Sequence, residues 1–324
     1  MAETWTVARL RSWMTPYLSE RSVESAAVCA DLLIAHVLSC ERIALYMDPD
    51  RPASVDELAK LRGLVQRAGQ HEPVQYLVGS WSFFGCEIEV GPCTLIPRPA
   101  TESLVEEALR RVRGDALPPT TRRPICIVDL CTGSGCVAIA IARSLIAARG
   151  GRKQLAWKGQ SATHDQDDAS TQSGVRIYAT EIVLEAVAMA RRNVRSNGFD
   201  SVIEVLAGDL DAPLGGRGLE ATVDVLCANP PYISDAEWAH APRNVREYEP
   251  QSALRGGVDG LEFVRRILAS ASTWLKPDGT VLVEISSSQG TVAQVIAAEM
   301  GLREIQVLCD LEGHQRILAA RRGA

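Results

Sequence analysis

No two of the nine cysteines stand at Cys-x-x-Cys spacing, and several, among them Cys126 and Cys227, lie inside apolar runs that read as strands. This excludes a zinc ribbon and a disulfide framework, and it fits reduced, buried thiols in a cytosolic chain. There is no uninterrupted apolar stretch of about 18 residues, so no membrane span is expected. Met1-Ala2-Glu3-Thr4-Trp5 has no basic region followed by an apolar one, and no signal peptide is expected either. Positive charge is not in excess. A net charge of −6 and a sequence pI of about 5.5 argue against a protein held on nucleic acid by its overall field, and leave only a local basic face open. The three-glycine dinucleotide fingerprint is also missing, because position 131 is cysteine and the spacing after Gly135 is wrong. That demotes a nicotinamide-dependent oxidoreductase. The expectation from these absences is a cytoplasmic, monomeric protein with no stable nucleic-acid partner, no membrane association and no metal site.

What is present is ordinary globular material. The 324 residues, 46% hydrophobic and 23% charged, suffice for about two domains with a real core. From residue 7 to about 70 the period is helical: Val7, Leu10, Trp13 and Met14 share a face, as do Val23, Ala27, Ala30, Ile34 and Val37, and Leu58, Leu61, Leu64 and Val65 form a third stripe. Ser54, with Asp56 and Glu57 behind it, is placed to cap the last of these helices. Residues 74–90 are rich in aromatics and glycine, and Glu87-Ile88-Glu89-Val90 alternates as a half-buried strand. The expected organisation is a helical bundle over 1–72, a linking hairpin over 73–96, with the boundary near Gly91, and an α/β domain over 97–324.

Within that domain strands and helices alternate, which calls for a parallel sheet. The apolar run 125–130 precedes Cys131-Thr132-Gly133-Ser134-Gly135 and a helix over 137–148, a strand, glycine turn and helix of the kind that brings a ligand to a helix N-terminus. Residues 149–174 turn polar and irregular and read as a surface insertion, where His164 and its aspartates fit a solvated loop better than a metal site. A strand ending at Glu181, a helix over 183–197, a strand ending at Gly208-Asp209-Leu210 and the strand before Asn229 follow. The tail alternates over 305–308 and 316–319, fitting a hairpin that adds an antiparallel strand.

In an open parallel sheet the ligand lies across the C-terminal strand ends. Here those ends carry Asp129, Glu181, Asp209 and Asn229. Glu181 can accept from a ribose diol, Asp209 from an exocyclic amine, and Asp129 can anchor the glycine turn or an ammonium group. Asn229-Pro230-Pro231-Tyr232 can hold a planar group bearing an NH2. The Asn229 amide oxygen accepts one hydrogen, a proline-fixed backbone carbonyl accepts the other, and Tyr232 stacks on the plane. Those four residues alone leave open whether the group is a base or an amide.

Five stretches in order carry a resemblance to a family: Pro73-Val74-Gln75-Tyr76-Leu77-Val78-Gly79; Leu95-Ile96-Pro97-Arg98-Pro99 with Thr101-Glu102; Thr132-Gly133-Ser134-Gly135-Cys136; Asn229-Pro230-Pro231-Tyr232-Ile233; and Glu249-Pro250 with Ala253-Leu254. From about Glu72 onward the chain resembles the peptide chain release factor glutamine N5-methyltransferases, class I enzymes dependent on S-adenosyl-L-methionine. The resemblance implies a Rossmann-like methyltransferase sheet behind a small helical bundle. It implies a cofactor over Cys131, Thr132, Gly133, Ser134 and Gly135, anchored near Asp129, with its ribose at Glu181 and its adenine near Asp209 and Leu210, leaving as S-adenosyl-L-homocysteine. Asn229 would bridge cofactor and substrate, the glutamine of a Gly-Gly-Gln motif, and the bundle and the loop after Tyr232 would grip the release factor. The chain departs from the family at three places. Cys131 and Ala100 replace a usual glycine and glutamate, and the run from Glu284 to Gly290 lacks a usual glycine.

The amide lone pair is delocalised into its carbonyl, so two acceptors that bind both hydrogens and aim the nitrogen at a methyl donor supply much of the rate by positioning. No His, Cys or Lys adjoins the motif, which fits a mechanism without a dedicated general base. The rival readings are a glutamine methyltransferase acting on a ribosomal protein, an adenine-N6 or guanine-N2 nucleic-acid methyltransferase, and a noncatalytic cofactor-binding module.

Overall fold

The computed structural model describes residues 4–114, 124–148 and 174–323. The expected insertion, with His164 and its aspartates, lies outside the described residues apart from Gly174. The chain divides into two units. The first comprises Met1–Trp81, Val90–Pro92 and Ala241–Glu249, and the second Ser82–Glu89, Cys93–His240 and Pro250–Ala324.

The first unit is built on helices α1 (Val7–Ser19), α2 (Ala26–Val37), α3 (Ala44–Met47), α4 (Val55–Ala68) and α5 (Val74–Val78). Their stripes meet in one core of Val7, Leu10, Met14, Leu18, Leu33, Ile34, Leu61 and Val65. Ser54 closes a capping box with Glu57, each side chain bonding the other's backbone N–H, so two orphan donors of α4 are satisfied together. Two residues of the expected stripes lie elsewhere. Ala27 is exposed in the first turn of α2, and Trp13 is 49% exposed, stacked on Tyr17 at 5.0 Å between centroids. The aromatic period at Trp13 therefore marks a surface cluster rather than the core.

Strands β1 (Ser80–Phe83) and β2 (Cys86–Glu89) form a two-stranded sheet, and the division between units falls within it. The second unit then alternates α6 (Pro99–Gly114), β3 (Ile125–Leu130), α7 (Cys136–Ala148), β4 (Val175–Glu181), α8 (Leu184–Ser196), β5 (Ile203–Ala207) and β6 (Val223–Ala228). After β6 come the short helices α9 (Asp235–Trp238) and α10 (Arg243–Tyr248), the latter assigned to the first unit. The chain then runs through α11 (Glu262–Trp274), β7 (Leu275–Glu284), α12 (Gly290–Glu299), β8 (Arg303–Cys309) and β9 (Gln315–Arg321).

The seven strands lie in the order β5-β4-β3-β6-β7-β9-β8. The first five are mutually parallel, and β9 pairs antiparallel with both β7 and β8. This is the mostly parallel α/β sheet expected from the alternation, of the Rossmann-like kind that the resemblance implies. All six residues of β3 are buried, as a strand covered by helices on both faces must be, which is why its sequence is apolar without alternation. Residues 276–279 are looped out within β7, since Val223 pairs with Leu275 and Val225 with Thr280. Among the described residues no helix is long and apolar enough to cross a membrane.

Leu226 stands at the centre of β6 with 0% exposure, inside the core cluster that joins the sheet to α11. Leu226→Ala is expected to lower the unfolding free energy by about 3 kcal/mol, read from denaturant unfolding with an unchanged m value.

Candidate active site

One cavity of about 560 Å³ lies across the C-terminal ends of β3, β4, β5 and β6, and its wall belongs wholly to the second unit. Of the residues singled out in the sequence, Asp129, Cys131, Thr132, Gly133, Ser134, Glu181, Asp209, Leu210, Asn229 and Pro231 line it. Gly135, Pro230 and Tyr232 are not among its lining residues. Thus the four strand-end polar residues, far apart in the chain, do converge.

The turn after β3 is wound tightly. Cys131, Gly133 and Gly135 have φ of 57°, 54° and 83°. The left-handed region costs a residue with a Cβ about 1–2 kcal/mol, so Cys131 holds strain that glycine would not. What keeps the turn in shape is a set of hydrogen bonds from outside it. Glu181 Oε2 accepts from Gly133 N at 3.0 Å while its Oε1 accepts from Val183 N at 2.9 Å. Asn193, in α8 and 1% exposed, donates to Ser134 O at 2.9 Å and to Glu89 O at 3.0 Å. Glu181 thus both faces the cavity and cradles the turn. Asn193 had no signal in its own stretch of sequence, because a lone Asn on a helix reads as solvated.

Asp129 is 1% exposed and accepts from Thr132 Oγ1 at 2.6 Å. Burial pushes its carboxyl up to about 7, offset in part by hydrogen bonds from Thr132 and the backbone of Ala138, with Glu181 adding like-charge repulsion. Two further polar atoms on the wall, Ser134 Oγ and Thr180 Oγ1, are buried and have no hydrogen-bond partner among the described residues. A polar ligand would satisfy them. Asp209 is held by Arg266 at 2.6 Å, and the same Arg266 lies 5.8 Å over the ring of Phe263, another wall residue. Leu210 is buried at φ 46° beside them.

At the far end Asn229 Nδ2 donates to Thr101 Oγ1 at 3.1 Å, which leaves the amide oxygen as the unused acceptor. The backbone beyond is clamped. Ile233 N donates to Leu254 O, Gly256 N to Ile233 O, and the Gln289 amide donates to Tyr232 O at 2.9 Å. The approach is so close that a Cβ on Gly256 would fall 2.7 Å from Pro231 O. Tyr232, expected to offer an open aromatic face, is largely enclosed, and its hydroxyl donates to Glu284 Oε1 at 3.3 Å. Burial raises that hydroxyl well above the usual phenol range, and it stays protonated. The extended segment carrying Thr94, Pro97 and Arg98 also lines the cavity, as does Thr101 in the first turn of α6; Pro97-Arg98-Pro99 marked the segment's stiffness, but not its place on the wall.

The arrangement can hold a polar, extended ligand along the strand ends and present one oriented amide acceptor to a second group at Asn229. The chain is similar to several known proteins. The family model described as the PrmC N-terminal domain matches residues 9–79. The release factor glutamine methyltransferase of Rhodopirellula baltica is 35% identical over 99% of this chain and 100% of its own. That of Geobacter sulfurreducens is 33% identical over 99% and 98%. Among solved structures, the protein-(glutamine-N5) methyltransferase (release factor-specific) from Alicyclobacillus acidocaldarius is 26% identical, covering 73% of this chain and 99% of that one at a TM-score of 0.36.

Asp129 in the unfolded chain ionises near 3.8, so folding takes up a proton between there and about 7. Its contribution is therefore largest at the acid end and is lost as pH rises through that window. Asp129→Asn is expected to flatten the decline in melting temperature of the ligand-free protein between about pH 4 and 7. Replacing Cys131 tests the backbone: Cys131→Gly is expected to melt at or above wild type, and Cys131→Val, β-branched at positive φ, to lose about 2 kcal/mol in denaturant unfolding.

Proposed function

The chain belongs to the release factor glutamine methyltransferase family, and from that membership we propose that it methylates the side-chain amide nitrogen (N5) of the glutamine in the Gly-Gly-Gln motif of peptide chain release factors. The observation that carries this reading is Asn229, fixed at a strand end on the cavity wall with its NH2 engaged by Thr101 and its oxygen left to accept. Such an acceptor suits a substrate NH2.

S-adenosyl-L-methionine fits the rest of the wall. Its ammonium group and hydroxyls answer the unpartnered hydroxyls of Ser134 and Thr180 and the carboxylates of Asp129 and Glu181. We assign Cys131, Thr132, Gly133, Ser134 and Gly135 to the methionine end, Glu181 to the ribose, and Asp209 with Leu210 to the adenine. When bound, the cofactor supplies an electrophilic methyl on a sulfonium sulfur.

The protein's own part is positional. Asn229 Oδ1 and the Pro230 carbonyl accept the two amide hydrogens and so fix the nitrogen's direction. Pro230 and Pro231 hold that carbonyl still, because their φ angles are set by their rings. Tyr232 backs the motif from outside the cavity wall through its bond to Glu284. With the amide held between two acceptors, orientation rather than proton removal is what the motif supplies, and no strong base is required. The helical bundle over 1–72 and the segment after Tyr232 are assigned to gripping the release factor. A cytoplasmic location follows from the same reading, since that is where translation terminates.

Asn229→Ala is expected to cut methyl transfer to a release factor by more than about 100-fold while the melting temperature of the ligand-free protein stays near wild type. The check is labelled methyl transfer with mass-spectrometric mapping of the modified residue. Near-wild-type turnover by the variant, or methyl transfer to a residue other than that glutamine, would remove the assignment.

A further inference from the structure

We propose that Glu284 and Thr101 are positioning residues which decide which end of the Asn229 amide faces the substrate. The inference rests on the reading of the site as a glutamine methyltransferase centre, and its argument is one of hydrogen-bond direction. Glu284 ends β7 beside the end of β6, where Ala228 pairs with Val283, so it adjoins Asn229 across the sheet. It is 1% exposed and is not part of the cavity wall, whereas Thr101 and Asn229 are. Its carboxylate is hydrogen-bonded by Thr101 and by Tyr232.

A carboxylate only accepts. Thr101 has a single hydroxyl hydrogen, and when that is given to Glu284, its oxygen is left able only to accept. The one group it accepts from is Asn229 Nδ2, at 3.1 Å. The NH2 of Asn229 is thereby turned away from the substrate position and the oxygen toward it. With the direction reversed, Asn229 would meet the substrate NH2 with its own NH2, donor against donor, and the bond would be lost. The same carboxylate holds the Tyr232 hydroxyl, so one buried charge orders both ends of the Asn-Pro-Pro-Tyr motif. Burial raises the Glu284 carboxyl to about 7, against the hydrogen bonds of Thr101 and Tyr232 and the charges of Arg316 and Arg98, which favour its ionised form; the relay operates above that pH, and the variants are compared at about pH 8. Cys136 is a further titratable neighbour, and burial keeps its thiol protonated.

Four variants separate this from simple packing: Thr101→Val, Thr101→Ser, Glu284→Gln and the double Thr101→Val/Glu284→Gln. With release factor and cofactor saturating, Thr101→Val and Glu284→Gln are each expected to lower kcat about 30-fold, with cofactor Kd by calorimetry changed less than about twofold. Thr101→Ser, which keeps the hydroxyl, is expected to recover to within about threefold of wild type, and the double variant to be no slower than the worse single one, since the two act in series. Full turnover in Thr101→Val, no recovery in Thr101→Ser, or multiplying losses in the double variant would overturn the proposal. A second readout stands apart from activity. The side-chain amide resonance of Asn229 in the 15N-labelled protein, assigned by its loss in Asn229→Ala, is expected to move in Thr101→Val and Glu284→Gln and to return in Thr101→Ser. If it does not move, the relay is wrong whatever the substrate. If it moves as expected while the wild-type enzyme transfers no methyl group to any release factor, the relay stands and the proposed function is what fails.

Discussion

Parallel pairing of β6 between β3 and β7 is the constraint on which the rest depends. Strands that run the same way finish on the same side, so the residues at their C-terminal ends are delivered to a common edge. Asp129, Glu181, Asn229 and Glu284 sit there for that reason and not because of any attraction among them. Three are carboxylates, and left alone they would repel. The sheet supplies the energy that holds them together, through helices packed on both faces and a core that runs from β3 to β9.

That enforced gathering explains how the site's electrostatics differ from those of the surface. On the surface, carboxylates such as Asp259 and Glu57 are drawn down by an arginine or a cap. At the strand ends, burial prevails over hydrogen bonds for Asp129 and Glu284, and both are pushed up. Glu181 serves a different purpose there, spending both oxygens on backbone N–H groups and so stiffening the turn that holds Cys131 at positive φ.

Much of this was legible in the chain. The helical periods of the bundle, the alternation of strand and helix, the glycine turn and the polar strand ends are local patterns, and each maps onto an element or onto the cavity wall. Other features were not local. Thr101 and Asn229 are 128 residues apart, Glu89 and Asn193 104 apart, and nothing in either neighbourhood announces the other. The helix Val74–Val78 escaped notice because five residues make little more than one turn, too few for a period to show. Trp13 misled in the opposite direction. An aromatic at core spacing is read as core, yet here its neighbours Trp5 and Tyr17 give it company at the surface. Cys131 was marked as a departure on sequence grounds, and its φ shows why the choice of residue there matters.

The first unit is not a contiguous length of chain. After β6 and α9 in the second unit, the polypeptide returns to it for Ala241–Glu249, and the Tyr248 hydroxyl bonds Gln70 O at 2.9 Å within it. The two units are therefore not modules that can be exchanged by a single crossover. A recombination joining the N-terminal 81 residues of one relative to the remainder of another would import a foreign α10 into the first unit, so the bundle and the segment following Asn229-Pro230-Pro231-Tyr232 must be inherited, or redesigned, together.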